Sequence, residues 1–141
     1  MVAENDVRKD TLQASLLPRK YRVMIVDDEV DITAIFKLGL EQNEFIVTTF
    51  NNPLEALSKF RPGLYDLLIL DIRMPGMNGF QLCQRIRNLD DKVKICFLTA
   101  FEDYREEFKA LFPSLNEVKC YLRKPITIQA LIIRLQDLAK S

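Results

Sequence analysis

Four apolar runs in this sequence lead into side chains that could do chemistry. Tyr21-Arg-Val-Met-Ile-Val26 is followed by Asp27, Asp28 and Glu29. Leu67-Leu-Ile-Leu70 is followed by Asp71. Val93-Lys-Ile-Cys-Phe-Leu98 is followed by Thr99, and Lys119-Cys-Tyr-Leu122 leads to Lys124 and Pro125. Carboxylates brought close raise one another's pKa and destabilise a fold unless a cation intervenes. Oxygen-only donors suit a hard divalent ion, and Mg²⁺ (or Mn²⁺) takes a few carboxylates together with water. Such an ion would also neutralise an arriving phosphoryl group. A carboxylate can serve as nucleophile and become an aspartyl phosphate. Lys124 is a point charge suited to a phosphate oxygen or to the nucleophilic carboxylate, and Thr99 offers a hydroxyl donor. The set makes a phosphoryl-transfer site that needs neither histidine nor a separate base.

Each residue taken alone has a plainer use. Asp27 and Asp28 could cap a following helix, Asp71 could be a solvated strand end, Thr99 a turn hydroxyl and Lys124 a surface lysine. The signal lies in all of them standing at the ends of successive strands, so the elements that carry them decide the matter.

Those elements alternate. Compact apolar or β-branched runs predict strands at 21–26, 45–50, 66–71, 93–98 and 119–122. Helical spacing, an Asn51-Asn52-Pro53 start and Pro or Gly stops predict helices at 29–43, 53–61, 80–89, 102–112 and 127–140. The run 74–79 reads as a loop from its Pro and Gly content. Five strands alternating with five helices imply an α/β fold, a doubly wound parallel sheet with helices on both faces. The expected strand order is 2-1-3-4-5, flavodoxin-like, in which ligands bind at the carboxyl ends of the strands. That edge is where Asp27, Asp28, Asp71, Thr99 and Lys124 would meet.

Composition narrows the field. The chain has 141 residues, enough for one domain that folds without staples. Twenty Lys+Arg balance twenty Asp+Glu, and no helix-turn-helix tail follows, which disfavours a direct nucleic-acid binder. There is no His, so His-based triads, His-ligated metals and a phosphorelay histidine on this chain are excluded. Cys83, Cys96 and Cys120 form no C-x-x-C and read as buried thiols in a reducing cytosol. Residues 1–20 carry Glu4, Asp6, Arg8, Lys9 and Asp10 without an apolar core. They read as a flexible extension, with a short helix at 11–17, rather than a signal peptide. No apolar run approaches the roughly 20 residues of a membrane span, so the expected location is cytoplasmic, with no membrane partner and residues 21–141 as the domain.

With these residues in register, the chain resembles the receiver domain of two-component response regulators, of the stand-alone, chemotaxis-regulator-like kind. The matching stretches are Val23-Met-Ile-Val-Asp-Asp-Glu29, Leu67-Leu-Ile-Leu-Asp-Ile-Arg-Met-Pro-Gly-Met-Asn-Gly79, Phe97-Leu-Thr-Ala100 and Tyr121-Leu-Arg-Lys-Pro125. They span about residues 20–140, and the run from Asp71 to Gly79 is the most specific. The resemblance implies that Asp71 accepts the phosphoryl group. It implies that Asp27, Asp28 and Asp71 hold Mg²⁺ with the backbone carbonyl of Arg73, and that Lys124 binds phosphate. Thr99 would be the switch hydroxyl and Tyr121 the switch aromatic that swings inward. The Lys124–Pro125 peptide would be cis.

The departures are specific. Asn78 stands where the family usually has Asp; as a loop residue it should matter little. The segment 108–119 lacks the family's glycine-containing turn and is somewhat long. Arg73 and Phe101, two residues after Asp71 and Thr99, are bulky where receivers tune phosphoryl lifetime, which predicts a long-lived phosphoryl state.

The reading is a phospho-acceptor signalling protein, with no catalysis beyond Mg²⁺-dependent self-phosphorylation and self-dephosphorylation. A sensor histidine kinase or phosphotransfer protein would donate the phosphoryl group. An unidentified downstream protein would read the face made by helix 102–112, strand 119–122 and helix 127–140, which also allows a homodimer. A non-cycling pseudo-receiver, acting as a constitutive interaction module, is the alternative. A hydrolase of the haloacid-dehalogenase type is the third, but it wants Asp-x-Asp after strand one, and Glu29 stands at the second acid position.

Overall fold

A computed structural model describes residues 19–100, 110 and 120–140. Its strands are β1 (Arg22–Val26), β2 (Ile46–Phe50), β3 (Leu67–Asp71), β4 (Lys94–Thr99) and β5 (Cys120–Arg123). Its helices are α1 (Val30–Glu41), α2 (Pro53–Lys59), α3 (Gly79–Arg87) and α4 (Ile128–Lys140). All pairings are parallel and the sheet order is β2-β1-β3-β4-β5, as the alternation of elements predicts. The helices predicted at 11–17 and 102–112 lie outside the described residues, apart from Ala110.

Strand pleating sorts the apolar side chains into two cores. Met24, Val26, Leu68, Leu70, Ile95 and Phe97 face α2 and α3, where they meet Ala56, Phe80, Leu82 and Ile86. Val23, Ile25, Leu67, Ile69 and Leu98 face the other way, toward Phe36 and Leu40 of α1 and Leu131 and Leu135 of α4. β3 is central and buried along its whole length, so it reads as an unbroken apolar run with no alternation. At about 1.5–3 kcal/mol per buried aliphatic side chain, this layer supplies much of the driving force for folding. Gly39 of α1 lies against Ile128 of α4; a Cβ there would run into the isoleucine side chain.

The far end of the sheet from the acidic residues is tied by Asp66. Arg19 Nη1 and Nη2 donate to its two oxygens at 2.8 Å each, and the Arg22 backbone N–H donates at 2.8 Å. The Arg22 guanidinium adds bonds of 3.3 and 3.2 Å. Burial works to raise the Asp66 pKa, but the Arg19 and Arg22 hydrogen bonds outweigh it and hold the carboxyl well below the usual range. A depressed folded-state pKa contributes stability above the unfolded value, about 3.9, that is lost as pH falls through the folded value. Arg19 is 63% exposed, so solvent screening limits the effect. Asp66→Asn is expected to cost about 1 kcal/mol at pH 7, with its thermal melt converging on wild type toward about pH 2. An equal loss at both pH values would show that the charge is not the cause.

The cysteine expectation needs correction, and Asn78 has a role beyond the one expected. Cys96 and Cys120 are joined as a disulfide, and Cys83 is the free cysteine, buried, its thiol pushed up to about 11 by burial. The pairing arises because Cys96 and Cys120 are register partners on β4 and β5, a long-range relation that local Cys spacing does not carry. Asn78 is more than a loop residue: it is the N-cap of α3. Its Oδ1 accepts from Gln81 N at 2.8 Å, and Gln81 Oε1 accepts from Asn78 N at 3.0 Å. Asn and Asp cap about equally well, which is the physical reason Asn is tolerated here.

Candidate functional site

Asp27 directly follows β1, Asp71 ends β3, Thr99 ends β4 and Lys124 directly follows β5. Parallel strands in register therefore deliver all four to one sheet edge. Asp27 is fully buried, and Asp71 and Thr99 are nearly so. Carboxylate oxygens of Asp27, Asp28 and Asp71 lie within 4.8 Å of one another. Lys124 Nζ is 3.0 Å from Asp27 Oδ2, 3.6 Å from Asp71 Oδ2 and 3.8 Å from Glu29 Oε1. A cavity of about 170 Å³ opens here, lined by Asp28, Asp71, Arg73, Thr99 and Lys124 among others.

The backbone fixes these positions. The Lys124 N–H donates to Thr99 O at 2.8 Å, extending the β4–β5 ladder into the site, and the Lys124–Pro125 peptide is cis as expected. Asp27 Oδ1 accepts from Glu29 N at 2.8 Å, so one oxygen is held while Oδ2 faces Lys124. Neither Asp27 nor Asp28 is the cap residue of α1; that place is Glu29, whose side chain makes no capping bond. Asn51, whose place beside Asn52 and Pro53 suggests only a helix start, donates to Asp27 O at 2.8 Å and to Thr33 Oγ1 at 2.9 Å. The helix cap itself is Asn52. An asparagine at the carboxyl end of β2, beside the acid-bearing end of β1, was the available signal for Asn51.

Gly79 brings α3 onto the end of β3. Its N–H donates to Ile72 O at 2.9 Å, and a Cβ would collide with the Asp71 carbonyl oxygen and lie 3.0 Å from Ile72 Cα. These are backbone atoms with little room to yield. Gly79→Ala is expected to cost about 1–3 kcal/mol and to displace Asp71. Thermal unfolding checks this, and an unchanged melting temperature would contradict it.

Electrostatics follow from the crowding. Burial pushes the Asp71 pKa up to about 7; the Asp27 charge adds to this, Lys124 opposes it, and Asp28 adds again. For Lys124, burial works against the charged form. The contact with Asp27 and the charges of Asp71, Asp27 and Glu29 outweigh it, so its pKa is raised and it stays an ammonium. A single ammonium against three clustered carboxylates leaves the cluster net negative. An all-oxygen donor set with surplus negative charge and open space beside it fits a hard divalent cation.

Tyr121 stands apart from this group. It lies on β5, half-buried, with its ring 6.0 Å from that of Phe97 and tilted 31° to it, on the sheet face of the α2 and α3 core. Phe101 falls outside the described residues.

Fold and site together define a doubly wound parallel α/β domain with a carboxylate cluster at the carboxyl ends of its strands. The response regulator receiver domain family matches residues 23–136, and the chain belongs to that family. It is 31% identical over 117 residues to the uncharacterized transcriptional regulatory protein YkoG of Bacillus subtilis, covering 83% of this chain and 50% of that protein. It is 35% identical over 120 residues to the probable transcriptional regulator ycf27 of Guillardia theta, covering 85% and 46%. The chain thus spans about half the length of the curated relatives it matches. Among solved structures it is similar to the response regulator TrrA of Thermotoga maritima in complex with Mg²⁺ and beryllofluoride. That match has 33% identity, a TM-score of 0.70 and coverage of 84% of this chain and 98% of that one. The HemR receiver domain of Leptospira biflexa is similar at 28% identity and TM-score 0.75, covering 86% and 96%.

Proposed function

We propose that this receiver takes a phosphoryl group onto Asp71 with Mg²⁺, or Mn²⁺, at the acidic cluster and passes the signal to a downstream protein. The observation that carries this is Lys124 Nζ lying between Asp27 and Asp71, at 3.0 and 3.6 Å, beside a cavity that Thr99 also lines. Asp27, Asp28, Asp71 and the Arg73 carbonyl would hold the cation. When bound, it offsets the carboxylate charge and the charge of the incoming phosphoryl group.

An Asp71 carboxylate oxygen attacks phosphorus of a phosphohistidine on a sensor kinase or phosphotransfer protein. The phosphorus–nitrogen bond breaks, and its electron pair leaves with the imidazole. Lys124 supplies positive charge to the transferred oxygens and Thr99 a hydroxyl donor. The acyl phosphate carries about −1.5 to −2 charge in place of the carboxylate's single charge near Asp27, which biases the β4–β5 end toward a state that brings Thr99 and Lys124 around it. Tyr121 reorients with β5, and the face around β5 and α4 carries the readout, to a partner or a second copy, without direct nucleic-acid contact. Among the described residues no helix is long and apolar enough to cross a membrane. We place the protein in the cytoplasm, with residues 21–141 as the domain; of the extension expected at 1–20, residues 1–18 lie outside the described residues, while Arg19 and Lys20 are held by Asp66 and Glu44.

Arg73 lines the cavity where a water would approach the acyl phosphate. The phosphoryl state is expected to be long-lived, measured as decay of the adduct mass after the phosphodonor is removed. Decay as fast as in the quickest receivers would contradict this. The function itself is tested by loading Asp71 with a small phosphodonor in the presence of Mg²⁺. Failure to load would favour the constitutive interaction module.

A further inference from the structure

The Cys96–Cys120 bond joins the two strands that deliver Thr99 and Lys124. β5 is four residues long and pairs, among the described strands, with β4 alone. Its ladder runs Cys96–Cys120, Phe97–Tyr121, Leu98–Leu122 and Thr99–Arg123, and ends in the bond from Lys124 N to Thr99 O. Short edge strands are the weakest-held part of a sheet, because half their backbone groups lack a ladder partner. The two cysteines stand at the first rung of that ladder. Their Cα atoms are 4.6 Å apart, within disulfide reach without backbone movement. Both side chains are buried in the core between the sheet and α1 and α4, where two thiols also pack well.

We propose that Cys96 and Cys120 form a reversible dithiol–disulfide site that clamps β5 to β4 and thereby fixes Lys124 at the acidic cluster. Oxidation is an exchange with a low-molecular-weight disulfide. One cysteine thiolate attacks a sulfur of that disulfide and releases one thiol. The second cysteine thiolate then attacks the mixed disulfide and releases the other thiol. Two protein thiols are oxidised by two electrons, the small disulfide is reduced to two thiols, and the two protons end on the leaving thiolates. Reduction by a dithiol runs the same steps backward. Cytoplasmic disulfides are mostly transient and redox-reporting, so in that compartment the bond acts as a switch. Its bearing on phosphoryl loading rests on the function proposed above; the clamp itself does not.

The experiment equilibrates the whole chain in glutathione buffers from reducing to oxidising, then alkylates it under denaturing conditions and counts labels by intact mass. Labels should fall from three to one in a single transition, with Cys83 as the residue still labelled. In the oxidised form, backbone amides of residues 122–124 should exchange hydrogen at least about tenfold more slowly, and melting should rise by roughly 10 °C. A Cys96→Ala, Cys120→Ala variant should be indifferent to the buffer in both readouts. Three labels at every poise would overturn the proposal, and so would a disulfide that leaves exchange at 122–124 unchanged. Both readouts are independent of phosphorylation, so failure of Asp71 to load would leave the clamp standing.

Discussion

Asp71→Asn is expected to abolish phosphoryl uptake completely and, at the same time, to make the metal-free protein more stable. The first effect follows from removing the nucleophilic oxygen: an amide cannot form the acyl phosphate. The second follows from the site's charge. The Asp71 folded-state pKa is about 7, raised chiefly by burial and then by Asp27, while an unfolded Asp has about 3.9. The folded chain therefore binds the extra proton between those values, so stability falls as pH rises across that window. Above pH 7 the cost of the buried charge is fully present. Asn removes it, so the variant should be stabler at pH 8 by on the order of 2 kcal/mol, the difference closing toward about pH 4. Thermal melts of both proteins across this range check the prediction. Adding Mg²⁺ to the wild type should narrow the gap. A variant less stable than wild type at pH 8 would mean that the carboxylate is better satisfied than its neighbours suggest.

Lys124→Met is the second large effect. Methionine keeps most of the apolar stem and removes the ammonium that sits 3.0 Å from the fully buried Asp27. Loss of one partner of a buried pair leaves an uncompensated charge, at about 3–5 kcal/mol. Part of that should return in the Asp27→Asn, Lys124→Met double variant, because the orphaned charge goes too. Loading of Asp71 should slow by at least about 10²-fold, the scale of losing one positioned electrostatic stabiliser. Time courses of adduct mass measure the rate, and melts of the two variants measure the stability. Loading at the wild-type rate would remove Lys124 from the machinery.

Much of this architecture was legible because each acidic or basic residue directly follows an apolar run. Periodicity places the runs, and a parallel sheet then aligns their ends. Boundaries were less legible, for local reasons. Asp90 accepts from Val93 N at 3.1 Å and Lys92 N at 2.9 Å, so a turn takes the first predicted residue of β4 and the strand opens at Lys94. Thr99 joins the strand because it pairs with Arg123. Glu44 adopts φ 70°, so the chain turns before Phe45 and β2 opens at Ile46. Phe60 is extended and ends α2 before Arg61. The cysteine pair and the Asn51 bond to the Asp27 carbonyl depend on which strands become neighbours, and Asn78 became a cap only once α3 began at Gly79. Spacing within one run carries none of these.

If the cluster of Asp27, Asp28, Asp71 and Lys124 serves to load Asp71, uptake of phosphate must depend on both the cation and that carboxylate. Intact-mass spectrometry after incubation with a small-molecule phosphodonor, with and without Mg²⁺, on wild type and Asp71→Asn, tests it most directly. The expected result is one phosphoryl adduct that requires both Mg²⁺ and Asp71. No adduct under any condition, or an adduct that survives Asp71→Asn, would contradict it.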